Sequence, residues 1–286
     1  MNPGRTRVRA ILSLLADPDD DIVDIVRRKL FSMGEPVVRE VLDAAPGGSQ
    51  AQREAGRILL CLREPPLETQ FRNLHERAGG DVDLETASFT LAKLEYPALN
   101  IQRYRSRLNK MAGQLAPSIA PDDHPLRVIR TLNHYVHDLQ GFRGQGNVPA
   151  SPAASYMNRV LDRKTGLPIS ISALYLFLAR RLELPVLGVG MPVHFILKYR
   201  TADAMEFLFD PYNRGQLLTA NECAEYLSRF DVAFEPSMLR QSSDRQILTR
   251  MILNLRAAYR NQNDARKVDA LERLARILLN RHPLQE

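Results

Sequence analysis

Two residues of this sequence have the types and spacing for acid–base chemistry: His194 in "MPVHFILKY" and Asp210 in "FLFDPYN". Both runs read as strands, rich in β-branched and aromatic residues. Alternate strand residues share a face. His194, Ile196 and Lys198 therefore point one way, and Val193, Phe195, Leu197 and Tyr199 the other. Asp210, Leu208 and Glu206 share a face of the next strand. A hairpin of the two strands sets His194 level with Asp210. A carboxylate there fixes the imidazole tautomer and orients it as a general base. A matching nucleophile belongs at the start of the apolar helix upstream, where the helix dipole lowers a thiol's pKa. That start reads Gly166-Leu167-Pro168, and proline has nothing to attack with.

Other groups compete for the role. Ser170 lies about 200° round the helix from Pro168, and Ser172 about one turn, or ~6 Å, further in. Either hydroxyl could substitute, or could bond backbone carbonyls inside the buried helix. Cys223, in "TANECAEYL", and Cys61 read as packing residues on amphipathic helices. Arg143, in "GFRGQGN", could anchor an anionic group or a peptide carboxylate in the cleft, or stand solvated on its loop. Asn158 and Asn213 suit caps or turns. His134 and His137 form the only close histidine pair, and no acidic residue stands at the offset that would complete a metal site with them. No metal or cofactor is indicated.

The elements that position these groups follow from periodicity. Residues 1–78 read as short amphipathic helices. One opens in the acidic run Asp17 to Asp21 and stops at Gly34; another carries Pro36 in its first turn; a third is capped by Ser49. Short helices of this kind stack as hairpins, in the manner of a degenerate HEAT-type pair. Gly79-Gly80 is a natural break. Helices follow, closed by Pro97 and Pro117, and then one over 126–139. The loop "GFRGQGNVPASPAAS" is long enough to suggest a function. Pro168 opens an almost wholly apolar helix, which marks it as the buried centre of its domain. Three strands come next. Residues 244–281 form two helices joined by "RNQND", similar to a single degenerate tetratricopeptide unit.

The order of a helix start, a strand His and a strand Asp resembles the transglutaminase-like arrangement. The segments "DLETASFTLAKLEYP", "LNHYVHDLQGFRG", "NRVLDRKTGLPISISALYLFLARRLELP", "LGVGMPVHFILKY", "FLFDPYNRG" and "ILTRMILNLRAAY" are similar to the SirB-type branch of that family. The block 158–199 is the most specific part. The resemblance, over about residues 81–260, implies an α+β fold, mainly α, with a papain-like core over 79–235 and a tetratricopeptide-like pair over 236–286, beside the HEAT-like hairpins that periodicity suggests over 1–78. It places the superfamily's His on His194, its Asp on Asp210 and its nucleophilic Cys on Pro168. Val193 stands where the branch commonly has Gly.

The chain has 286 residues, 44% hydrophobic and 25% charged, which is ordinary globular composition. No apolar run reaches the ~18 residues that span a bilayer. The N-terminus lacks the apolar stretch of a secretory leader, so a cytoplasmic protein is expected. Two isolated cysteines make no disulfide framework. The net charge is +6, and residues 240–286 hold ten Lys or Arg against five Asp or Glu. That excess could attract nucleic acid, but it is spaced as on a solvated helix face, and Trp is absent. The expected function is a non-catalytic module, a pseudoenzyme that binds a protein or peptide or acts as a regulator. The alternatives are an amide-bond hydrolase or acyltransferase using His194 and Asp210 with an atypical nucleophile such as Ser172 or a water, and a nucleic-acid binder.

Overall fold

The computed structural model describes residues 3–77, 81–146 and 151–279. The expected break at Gly79-Gly80, part of the expected long loop (147–150) and the last residues of the chain lie outside them. Contacts divide the chain into Met1–Gln70 with Thr90–Ile101, and Phe71–Phe89 with Gln102–Glu286.

The first unit holds helices α1 (Pro3–Leu15), α2 (Asp20–Met33), α3 (Glu35–Ala44) and α4 (Gln50–Leu62). Asp19 caps α2 by accepting from the Asp21 amide at 2.8 Å. Gly34 separates α2 from α3 at φ +82°, a conformation in which a side chain would be strained. Ser49 caps α4, accepting from the Gln52 amide at 3.1 Å. Leu15, Leu30, Val38, Val41, Ala55 and Ile58 fill the space between these helices.

The second unit is built round one helix. α5 (Leu67–Arg77) and α6 (Leu84–Ala92), each divided between the two units, precede α7 (Ile101–Leu115) and α8 (Pro125–Asn133). α8 continues into a π-helical turn over His134–Leu139. A two-residue strand β1 (Arg143–Gly144), helix α9 (Met157–Arg163) and strand β2 (Thr165–Gly166) lead to α10 (Pro168–Arg181). Every residue of α10 from Ile169 to Ala179 is buried, as its all-round apolar sequence requires. Pro168 starts it at a position where no amide hydrogen is needed.

Strands β3 (Val186–Val189), β4 (Ile196–Arg200), β5 (Glu206–Asp210) and β6 (Gln216–Leu218) form one antiparallel sheet in chain order. Three strands were expected here; β6 is additional, a short strand that reaches the sheet through the turn after Asp210. His194 was expected inside a strand and is not. β4 begins two residues later, because Pro192 and Val193 form a tight turn in which the His194 amide bonds to the Pro192 carbonyl at 2.7 Å. Helices α11 (Ala220–Ser228), α12 (Asp244–Asn261) and α13 (Ala265–Leu279) complete the chain. The unit is α+β and mainly α.

α12 is bonded directly to the strands and to α10. Ser242, just before it, donates its amide to the Gly188 carbonyl at 2.9 Å and accepts from the Gly190 amide at 3.1 Å. Asp244 pairs with Arg180 of α10 at 2.5 Å, and the Tyr259 hydroxyl meets that of Tyr156 at 3.0 Å. The expected pair from residue 236 thus lies in the same unit as the sheet.

Candidate functional site

His194 and Asp210 lie together at one end of the two central strands, 4% and 3% exposed. The β4–β5 register runs Leu197 opposite Phe209. Extended, it sets Ile196 opposite Asp210, so His194 stands beyond the ladder and reaches the carboxylate with its side chain alone. Nε2 lies 2.7 Å from Asp210 Oδ2. The same oxygen accepts from Asn213 Nδ2 at 2.7 Å, and Oδ1 accepts from the amides of Tyr212 at 3.0 Å and Asn213 at 3.4 Å. A carboxylate only accepts, so the imidazole hydrogen sits on Nε2 and the Nδ1 lone pair faces away. Among the described residues Nδ1 has no hydrogen-bond partner. The tyrosines flank the ring: Tyr226 of α11 at 5.0 Å between centroids, and Tyr212 at 6.1 Å and nearly perpendicular.

The loop that delivers His194 is strained. Val193 has φ +53° and is 53% exposed. A positive φ is a genuine outlier for a β-branched residue. The three-residue turn it centres is an uncommon, costly one. Arg250 of α12 holds this loop from behind, its Nη1 donating to the Met191 carbonyl at 2.5 Å.

No nucleophile of the expected kind accompanies the pair. Pro168 occupies the start of α10, preceded by Leu167 with no side-chain cap. The Ser172 hydroxyl is fully buried and directed at the Phe195 carbonyl, 3.5 Å away on another element, and the buried Ser170 hydroxyl has no partner among the described residues. The expectation that both serines bond carbonyls of their own helix is therefore corrected: Ser172 is turned towards the Phe195 carbonyl instead, and Ser170 makes no such bond among the described residues. Cys223 lies in α11, 1% exposed, packed with Val189, Met191 and Ile196. Burial, then the charges of Glu222 and Asp210, push its thiol up to about 11. At neutral pH it is a protonated, weak nucleophile. Burial raises the Cys61 thiol as well.

Arg143 is exposed on β1. Its amide donates to the Lys164 carbonyl at 2.9 Å, in the parallel pairing that sets Gly144 beside Gly166. Gly144 lies so near Tyr212 that a Cβ there would come within 2.5 Å of the ring. Segment 143–146 thereby touches both the start of α10 and the turn after Asp210. Asn213, expected as a turn residue, is that and also a clamp on Asp210. Asn158 caps nothing: it is 1% exposed, in the first turn of α9, and both polar atoms of its amide lack partners among the described residues. Tyr212 and Tyr226 were not anticipated. The sequence "DPYN" carries Tyr212 beside Asp210, which is a usable signal; nothing local marks Tyr226. His134 and His137 hold no metal-type cluster: among the described residues no three His, Cys, Asp or Glu side chains could enclose an ion. Among them also, no helix is long and apolar enough to cross a membrane.

Residues 102–253, just over half of the chain, match the transglutaminase-like superfamily. A UPF0162 protein of Xylella fastidiosa is 29% identical over 187 residues, 63% of this chain and 66% of the relative. F-box only protein 21 of Mus musculus is 30% identical over 198 residues, 67% of this chain but 30% of that protein. Protein SirB1 of Salmonella typhimurium is 24% identical over 123 residues, 43% of this chain and 45% of the relative. The aligned part thus spans just under two thirds of the Xylella relative. No solved structure gives a significant match.

Proposed function

We propose a function from one premise: the chain belongs to the transglutaminase-like superfamily, in its SirB-type branch. Its role is that of a non-catalytic module that binds a protein segment. The observation that carries this reading is Pro168. The base and its orienter are within hydrogen-bond reach, but the helix start where the thiol belongs holds a residue with no nucleophilic atom. The thiol of Cys223 is buried and stays protonated at neutral pH. Without its nucleophile, the pair works as a clasp between the His194 loop and the turn after β5. It also leaves Val193 and Phe230 as an exposed apolar rim beside the site, Phe230 stacked on the Tyr226 that flanks the imidazole, which suits a peptide's side chains. The match to a 30% share of F-box only protein 21 supports a module joined to other sequence.

The rival reading is a hydrolase in which His194 Nδ1 activates water or Ser172. Acyl-directed electrophiles discriminate. On the module reading, wild type and His194→Ala label equally. Labelling of wild type that is lost in His194→Ala would establish the enzyme. The binding half is tested by peptide display against the full chain. It expects enriched peptides whose binding is lost in Val193→Asp and Phe230→Asp; selection of nothing above background refutes it. A nucleic-acid role has less support, because Arg256 and Arg260 are paired with Glu272, and Lys267 with Asp264.

A further inference from the structure

We propose that a cavity beside the π-helical turn is a binding site for a small phosphate-bearing molecule. It has a volume of about 650 Å³ and is lined by Ser118, Arg130, Thr131, His134, Asp138 and Arg214, among others. Cavities of this size hold small organic ligands. This inference stands apart from the peptide-binding reading.

Charge is the first reason. Among the described residues of the lining Asp138 is the one carboxylate, and it is already engaged: it lies 3.0 Å from His134 Nδ1 and pairs with Arg214. Those two partners hold its carboxyl below the usual range, His134 more than Arg214. Arg130 has no acidic partner among the described residues. Two guanidinium groups against one satisfied carboxylate leave a positive excess facing an open space, and a bound anion would neutralise it.

Backbone geometry is the second reason. Arg214 has φ +56° and Gly215 φ +73°. A non-glycine residue in the left-handed region is strained, and such residues gather at functional sites. The tight turn is held on both sides. The Gly215 amide donates to the Asp210 carbonyl at 2.7 Å, and its carbonyl accepts from Asn133 Nδ2 at 2.9 Å. Asn133 is in turn fixed by the Tyr175 hydroxyl of α10 at 3.0 Å. Arg214 is therefore set against the cavity by a rigid support. The π-helical turn supplies His134, His137 and Asp138 to the same lining, and such turns are frequent at functional sites.

Donor count selects phosphate over carboxylate. The Arg130 fork, the Arg214 N–H groups that Asp138 leaves unused and the hydroxyls of Ser118 and Thr131 offer more donors than two carboxylate oxygens accept. The three outer oxygens of a phosphate monoester can take them. The volume beyond the phosphate leaves room for an organic body.

The test is calorimetric titration of the full chain with inorganic phosphate, phenyl phosphate and acetate at constant ionic strength. Saturable binding of both phosphates is expected, with phenyl phosphate tighter and acetate at least tenfold weaker. Arg130→Gln and Arg214→Gln should each weaken phosphate at least tenfold with an unchanged circular dichroism spectrum. Among the described residues Arg130 has no acidic partner to lose. Asp138→Asn should tighten binding. Arg229→Gln, outside the cavity, should bind as wild type. Acetate as tight as phosphate, or phosphate binding indifferent to both cavity arginines, overturns the proposal.

Discussion

Asp210 Oδ2 accepts from His194 Nε2 and Asn213 Nδ2 at the same distance, 2.7 Å. One oxygen thus ties the loop before β4 to the turn after β5, and the imidazole orientation depends on that turn being closed. Removing the carboxylate strands the buried His194 Nε2 and leaves the Asn213 side chain and the Tyr212 amide without their acceptor. Asp210→Ala is expected to destabilise the protein by about 2–4 kcal/mol, measured by urea unfolding. A loss under 1 kcal/mol would mean that the pair is not a structural clasp.

Val193→Gly should stabilise. Glycine adopts φ +53° without the penalty a β-branched residue carries. The relief of about 1–3 kcal/mol exceeds glycine's entropic cost of about 1 kcal/mol. Val193 is 53% exposed, so little buried surface is lost. The urea midpoint should rise with the slope unchanged; a lower midpoint would show that the turn is unstrained.

Pro168→Cys asks whether the pole of α10 still faces the base. A thiol there, at a helix start, should be alkylated by iodoacetamide at pH 6–7 much faster than Cys61 or Cys223. Adding His194→Ala should slow it at least tenfold. Equal rates in the two backgrounds would separate Pro168 from His194.

Gly215→Ala should be among the most damaging single changes. The position has φ +73°, and a Cβ would fall 2.0 Å from the Asn133 amide. Backbone strain and overpacking together predict a loss of about 2–4 kcal/mol. Thermal unfolding of the variant against wild type checks it.

His137 predicts a pH dependence. Its Nδ1 is 2.8 Å from the Phe142 carbonyl, and burial pulls its pKa below 6.5. Above that value both folded and unfolded states hold it neutral. Below it the unfolded chain takes up a proton that the folded chain resists, so stability falls as pH drops from about 6.5 towards the folded pKa. His137→Asn should flatten the decline between pH 6.5 and 5, relative to wild type, in parallel urea titrations.

Much of the frame is legible in residues that act locally. Ser49 caps α4, Gly34 ends α2, and Pro168 opens a helix whose apolar circumference declares it buried. His194 and Asp210 are legible as partners because both lie at the ends of β-rich runs. The route by which they meet is not. Alternation presumes a regular strand, and Pro192–Val193 breaks the ladder through a backbone angle that no propensity assigns to valine. The π-helical turn over His134–Leu139 has the side-chain pattern of an ordinary helix end. Tyr226 reaches the imidazole only because α11 folds back on the sheet, a long-range event with no local signature. Ser172 of α10 finds its acceptor outside its helix, at Phe195, which one helix's sequence does not contain.

The isolated bridge between Val189 and Gln241, beside the Ser242 bonds to Gly188 and Gly190, has a consequence for solubility. β3 is the outer strand of its sheet, and the segment leading into α12 is what occupies its free edge. A chain ended before Gln241 would present an open, apolar strand edge to its own copies. Such a truncation should aggregate at concentrations where the full chain stays monodisperse by light scattering.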